Sequence, residues 1–76
     1  EFQSVNIQKL MNITINDVPL TLPSGSMLSD ALAAKEIKLS GIATALNGTV
    51  IPADRRQSTP LSEGDKIVII KAFYGG

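Results

Sequence analysis

From Met11 to Asn16 the chain alternates without a break: Met11, Ile13 and Ile15 are apolar, and Asn12, Thr14 and Asn16 are polar. A period of two predicts a strand with one face in a core and the other in water. Asn16-Asp17 is turn chemistry. Pro19-Leu20-Thr21-Leu22-Pro23 then alternates again with Leu20 and Leu22 inward, so the two segments predict a β-hairpin. Proline at both ends of the second strand suits a sheet edge, because proline donates nothing to a ladder.

The period changes after Ser24-Gly25-Ser26. Leu28, Ala31, Leu32 and the stem of Lys35 fall at helical spacing, which predicts a helix over about Met27 to Glu36, with Ser26 as its N-cap and one apolar stripe against the sheet. Ile37, Leu39 and Gly41 carry the chain away from it. Ile42 to Asn47 reads as a third strand of small residues. Asn47-Gly48 is a strong hairpin signal, and Thr49-Val50-Ile51 is a short fourth strand stopped by Pro52. Ala53 to Gln57 has room for one helical turn. Its paired Arg55 and Arg56 have two readings, a phosphate contact or two solvated charges on a loop. Ser62-Glu63-Gly64-Asp65 is a tight turn, and the last strand begins at Lys66.

That last strand breaks the alternation. Ile67-Val68-Ile69-Ile70 is apolar on both faces, Ile67 with Ile69 on one and Val68 with Ile70 on the other. Strands of this kind are normally covered on both sides. A single helix covers only one face of a sheet. The fold class expected is therefore α+β, a mixed sheet of four to five strands with one main helix packed on one face. Val68 and Ile70, continued by Ala72, Phe73 and Tyr74, are expected to meet a partner. The plainer reading is scattered surface hydrophobics, which need no explanation.

Composition narrows the function. Seventy-six residues make one domain with a modest core. Seven basic residues balance seven acidic ones, and aromatics are few, so neither a basic stripe nor a stacking platform for nucleic acid is in view. The chain has no Cys and no His, which removes thiolate chemistry, cysteine-ligated metal and the commonest general base. No apolar run has the length of a membrane span. The expectation is a cytoplasmic protein that is not an enzyme, with no metal site and no bound cofactor. Met11 reads as an initiator. Residues 1–10 are then either a leader added in cloning or, through Val5, Ile7 and Leu10, an extension of the first strand. Residues 11–76 are expected to form the domain, with 74–76 as a flexible arm.

The chain closes on Gly75-Gly76, a pair that chance gives about one time in 200. Alone, the pair fits a frayed terminus or a carboxylate held out for another protein. Three segments then carry a resemblance. Ala45-Leu46-Asn47-Gly48 with Val50-Ile51-Pro52, Leu61-Ser62-Glu63-Gly64-Asp65-Lys66-Ile67, and Gly75-Gly76 stand in the order seen in the ubiquitin-like, β-grasp sulfur carriers. The chain resembles most closely the ThiS family of the thiamine pathway, over essentially all of residues 11–76. One position departs. The family often has an aromatic residue four places after the proline, and this chain has Arg56.

The resemblance implies a protein substrate. A ubiquitin-activating-like (ThiF-like) adenylating enzyme would supply ATP and Mg²⁺ and convert the Gly76 carboxylate to an acyl-adenylate. Sulfur derived from a cysteine desulfurase would displace AMP and leave a thiocarboxylate at Gly76. A thiazole synthase (ThiG-like) would receive that sulfur. Related alternatives are the small subunit of molybdopterin synthase (the MoaD type), with the same chemistry and another acceptor, a ubiquitin-like protein modifier, and a plain β-grasp binding module.

Overall fold

The structure is a computed structural model and describes residues 9–71. Five strands and one α-helix appear in the order β1 (Leu10–Ile15), β2 (Val18–Pro23), α1 (Leu28–Ala34), β3 (Ile42–Leu46), β4 (Thr49–Ile51) and β5 (Lys66–Lys71), with a 3-10 turn at Ala53–Ser58 between β4 and β5. The strands form one mixed sheet in the order β2-β1-β5-β3-β4. β5 is central, parallel to β1 and antiparallel to β3. The proline-flanked β2 lies at one edge, where its missing donors cost nothing.

Both hairpins close with two-residue turns. Asn16 and Asp17 have φ of 49° and 67°, and Asn47 and Gly48 have 51° and 87°. Two successive positive φ values give the turn whose twist matches a right-twisted strand pair. Asn tolerates this region better than most residues do, and Gly enters it freely. Ile15 thus pairs with Val18, and Leu46 with Thr49. That register directs Met11, Ile13 and Ile15 toward α1.

α1 lies against that face. Leu28, Ala31 and Leu32 are fully buried, and Leu28 and Ala31 meet Met11, Ile13, Ile15, Leu22, Leu61 and Ile67 in a single core. Lys35 is exposed, so its stem is not part of the stripe. The N-cap also lies one residue later than expected. Ser26 spends its hydroxyl on the Pro23 carbonyl at 2.7 Å, and Met27 takes the cap position, its N–H donating to the Asp30 carboxylate at 2.7 Å. The carboxylate in the first turn also complements the helix dipole. The entry is pinned from outside by Leu28 N–H to the Thr59 carbonyl (2.8 Å) and Leu61 N–H to the Ser26 carbonyl (3.0 Å). At the other end Glu36 takes a φ of 54°, Ile37 N–H bonds the Leu32 carbonyl, and Glu36 N–H bonds that of Ala33. This is a Schellman stop, with Glu36 where Gly is commonest.

Arg56 overturns the solvated-loop reading. It is 6% exposed. Its Nε donates to Thr44 Oγ1 and its Nη2 to the Ile42 carbonyl, both at 3.2 Å, and the Thr44 hydroxyl donates in turn to the Ile51 carbonyl. The side chain fastens the 3-10 turn to β3 through neutral oxygens. At the place where the resemblance expects an aromatic, a long side chain fills the space and satisfies its polar end. Arg55 is exposed.

β1 starts at Leu10, paired with Pro23, and the Lys9 carbonyl accepts from Ser24 N–H at 2.8 Å. The ladder therefore reaches one residue further back than the alternation from Met11 predicts. Residues 1–8 lie outside the described part.

Candidate functional site

β5 is the element that leads toward Gly75-Gly76. Ala72, Phe73, Tyr74, Gly75 and Gly76 lie outside the described residues, so the site is built here from the strand that carries them. Side chains directly opposite across an antiparallel ladder share a face. Thr44 lies opposite Ile69 and Leu46 opposite Ile67, facing α1, whereas Ala43 lies opposite Ile70 and Ala45 opposite Val68, facing away. Ala45 also lies opposite Val50. Val68, Ile70 and Val50 are 45%, 55% and 67% exposed. The uncovered face of β3, β4 and β5 is thus a contiguous apolar patch of Ala43, Ala45, Val50, Val68 and Ile70.

The same face is polar over β1. Thr14 and Asn12 stand there beside Lys66, and Asn12 Oδ1 accepts from the Thr21 hydroxyl at 2.8 Å. The open side of the sheet is therefore divided, and its apolar half includes the later residues of β5. The two-faced character of Ile67 to Ile70 locates Val68 and Ile70 on this patch. Ala43, Ala45 and Val50 were not singled out in the sequence. The signal that finds them is pairing register, since Asn47-Gly48 fixes which residues of β3 and β4 stand opposite each other.

β5 is held rigidly on both sides by the turns that precede it in the chain. Asn16 N–H donates to the Ile67 carbonyl and Asn16 Oδ1 accepts from Ile69 N–H, both at 2.9 Å. Asn47 N–H donates to the Lys66 carbonyl (2.8 Å), and its Oδ1 accepts from Lys66 N–H (2.9 Å). Asn47 Nδ2 also donates to Asp65 Oδ1 (3.0 Å), while Asp65 Oδ2 accepts from Ser62 N–H (2.7 Å). Gly64, at φ 83°, sends its N–H to the Asn12 carbonyl (2.7 Å). The Asn-Gly and Glu-Gly-Asp segments therefore act on backbone, fixing where β5 begins.

Among the described residues, no group of three or more His, Cys, Asp or Glu side chains could hold a metal ion. No described helix is long and apolar enough to cross a membrane. What the arrangement offers is a fixed central strand with a bare apolar face.

A mixed five-stranded sheet with one helix across one face, and its central last strand running out toward a diglycine, defines a β-grasp domain of the ubiquitin-like kind. A model of the ThiS family matches residues 7–76. The chain belongs to the ThiS family. It is similar in structure to the thiamine biosynthesis protein ThiS from Geobacter metallireducens, with a TM-score of 0.72 and 26% identity over 87% of this chain and 99% of that one. No curated protein matches it.

Proposed function

We propose that this protein is a sulfur carrier for thiazole formation in thiamine biosynthesis, and that it acts as a co-substrate with no catalytic residue of its own. The observation that carries the reading is the family match running through Gly75-Gly76, on a fold whose central strand leads to that pair beside an unpartnered apolar patch.

A carboxylate is a poor electrophile, because its charge repels nucleophiles. In the proposed cycle a ThiF-like adenylating partner joins the Gly76 carboxylate to the α-phosphate of Mg²⁺-ATP and releases pyrophosphate. The resulting mixed anhydride is uncharged at carbon and carries AMP as a leaving group. A persulfide carrying sulfur from a cysteine desulfurase attacks that carbon, AMP departs with the former carboxylate oxygen, and a partner thiol cleaves the resulting acyl disulfide and is itself oxidised to a disulfide. The product is a thiocarboxylate at Gly76. A ThiG-like thiazole synthase takes the sulfur, and replacement by water oxygen returns the carboxylate. The absence of Cys and His from the chain fits this division of labour. Gly76 brings no side chain against the carbonyl, and Gly75 gives the arm backbone angles closed to other residues.

The apolar patch supplies the grip. Val68 and Ile70, with Ala43, Ala45 and Val50, dock the adenylating partner, and Ala72, Phe73 and Tyr74 extend the contact toward the reactive end. Exposed aliphatic surface of this kind marks protein contact sites.

The test is the mass of the intact chain after incubation with its activating enzyme, ATP, Mg²⁺ and a sulfur donor. One oxygen-for-sulfur exchange at Gly76 is expected. Deleting Gly76 withdraws the carboxylate by roughly 3 Å, and since about 1 Å of misplacement can cost a hundredfold, the shortened chain should be nearly inert. Normal thiolation of that deletion, or an intact chain that no such enzyme adenylates, overturns the reading. Isopeptide adducts on other proteins would identify a modifier instead, and sulfur passing only to a molybdopterin precursor would identify the other acceptor.

A further inference from the structure

The helix side of the sheet is not closed along its whole length. Where α1 ends, a cleft of about 400 Å³ opens between the helix C-terminus, the β1–β2 turn and the end of β5. Its floor is aliphatic: Ile15, Ile37 and Ile69, with Val18 at the edge. Its rim is basic, formed by Lys35, Lys38 and Lys71 against the single carboxylate of Glu36. The cleft thus gathers three of the seven basic residues and one of the seven acidic ones in a chain with no net charge. The Schellman stop builds this arrangement. The left-handed Glu36 reverses the chain so that Ile37 packs on the core while Lys35 and Lys38 remain exposed beside it.

Position gives the cleft its meaning. Lys71 is the last residue of β5, so the rim borders the chain just before the arm. Ile69 and Lys71 point to the helix side, and Ile70 between them points to the apolar patch. The two surfaces therefore lie on opposite faces of the same strand.

We propose that this cleft is a second docking site, taking an acidic segment with interspersed aliphatic side chains from the protein that adenylates the arm. The partner then holds β5 from both faces. Such a segment uses both parts of the cleft, its carboxylates on the lysine rim and its aliphatic groups on the floor. A free phosphate would use the rim alone, and the carbonyls at a helix C-terminus disfavour a compact anion set deep in the cleft. The identity of the partner rests on the sulfur-carrier reading, whereas the chemistry of the cleft does not.

The test begins without any enzyme. The full ¹⁵N-labelled chain is titrated at low ionic strength with a capped five-residue peptide alternating Glu and Leu, and separately with inorganic phosphate and pyrophosphate. Saturable shifts are expected at the amides of Ile37, Lys38, Ile69 and Lys71 and not at Ala43, Ala45 or Val50, weakening as salt is raised. A Lys38→Gln, Lys71→Gln double variant should bind the peptide about fivefold more weakly, since each exposed ion pair is worth about a 1.4- to fivefold factor. The same variant should show about a fivefold higher KM with the activating enzyme at unchanged kcat. No saturable shift, shifts on the apolar patch instead, tighter phosphate than peptide binding at the same amides, or an unchanged KM each overturns the proposal. A wild-type chain that is never adenylated sinks the carrier reading, and the titration then judges the cleft alone.

Discussion

Ile67 and Ile70 are the same residue three places apart on one strand, yet one is 1% exposed and the other 55%. Ile67 faces α1 and closes the core with Ile13, Ile15 and Leu28. Ile70 stands over Ala43 on a face that no described element covers. Burial of a side chain this size is worth roughly 1.5–3 kcal/mol. The chain collects that on one face of β5 and leaves it uncollected on the other. A domain this small has little stability to spare, so the second face is where binding energy is available. The contrast teaches that hydrophobicity alone does not assign a residue to the core. The number of covering layers does.

The sharpest way to break this contrast is Ile67→Ala. It should cost roughly 2–5 kcal/mol in urea unfolding, whereas Ile70→Ala should fall within about 0.5 kcal/mol of the parent. Equal losses would mean that both faces are internal. Arg56 offers the next largest effect. Arg56→Leu strands the buried Thr44 hydroxyl and the Ile42 carbonyl and should lose about 1–3 kcal/mol. A loss within about 0.5 kcal/mol of the parent would mean that the arginine matters only as filler. Asp30→Ala, which frees the Met27 amide at the helix start, should cost about 1 kcal/mol. Thermal unfolding that shows no loss would return the cap to Ser26.

Much of this was legible because local pattern and global fold agree. The alternation from Met11 to Ile15, the two Asn-led turns and the doubly apolar β5 together give a mixed sheet with one helix on one face, and the resemblance to the sulfur carriers adds the β-grasp order. The site was legible as far as the phase of Val68 and Ile70. What escaped depends on distant contacts. Arg56 reads as a surface charge until Thr44, twelve residues away, offers an acceptor in the core. Ser26 looks like an N-cap by type, but its hydroxyl finds the Pro23 carbonyl first, and Asp30 is placed to serve Met27. Ala43 and Ala45 are too small to stand out, and only the β3–β5 register shows them widening the patch.

The smallest expected change in stability belongs to the variant that says most about function. Ile70→Glu puts a charge on a side chain that is already more than half exposed, so the isolated fold should unfold within about 0.5 kcal/mol of the parent. Its effect on binding to the proposed adenylating partner should be far larger. At the centre of an interface, a key apolar side chain is worth about 2 kcal/mol or more, which is roughly a thirtyfold rise in the Kd of the complex. Val50→Glu, at the edge strand and the rim of the patch, should weaken the same complex by less, because rim positions stay partly hydrated. The order of the two variants matters more than either value. Ile70 above Val50 locates the centre of the contact on β5, the strand that precedes Gly75-Gly76 in the chain. The reverse order would move it to the β4 edge and detach docking from delivery of the arm. If Ile70→Glu instead unfolds the domain, the face belongs to the core, and the asymmetry between Ile67 and Ile70 has been misread.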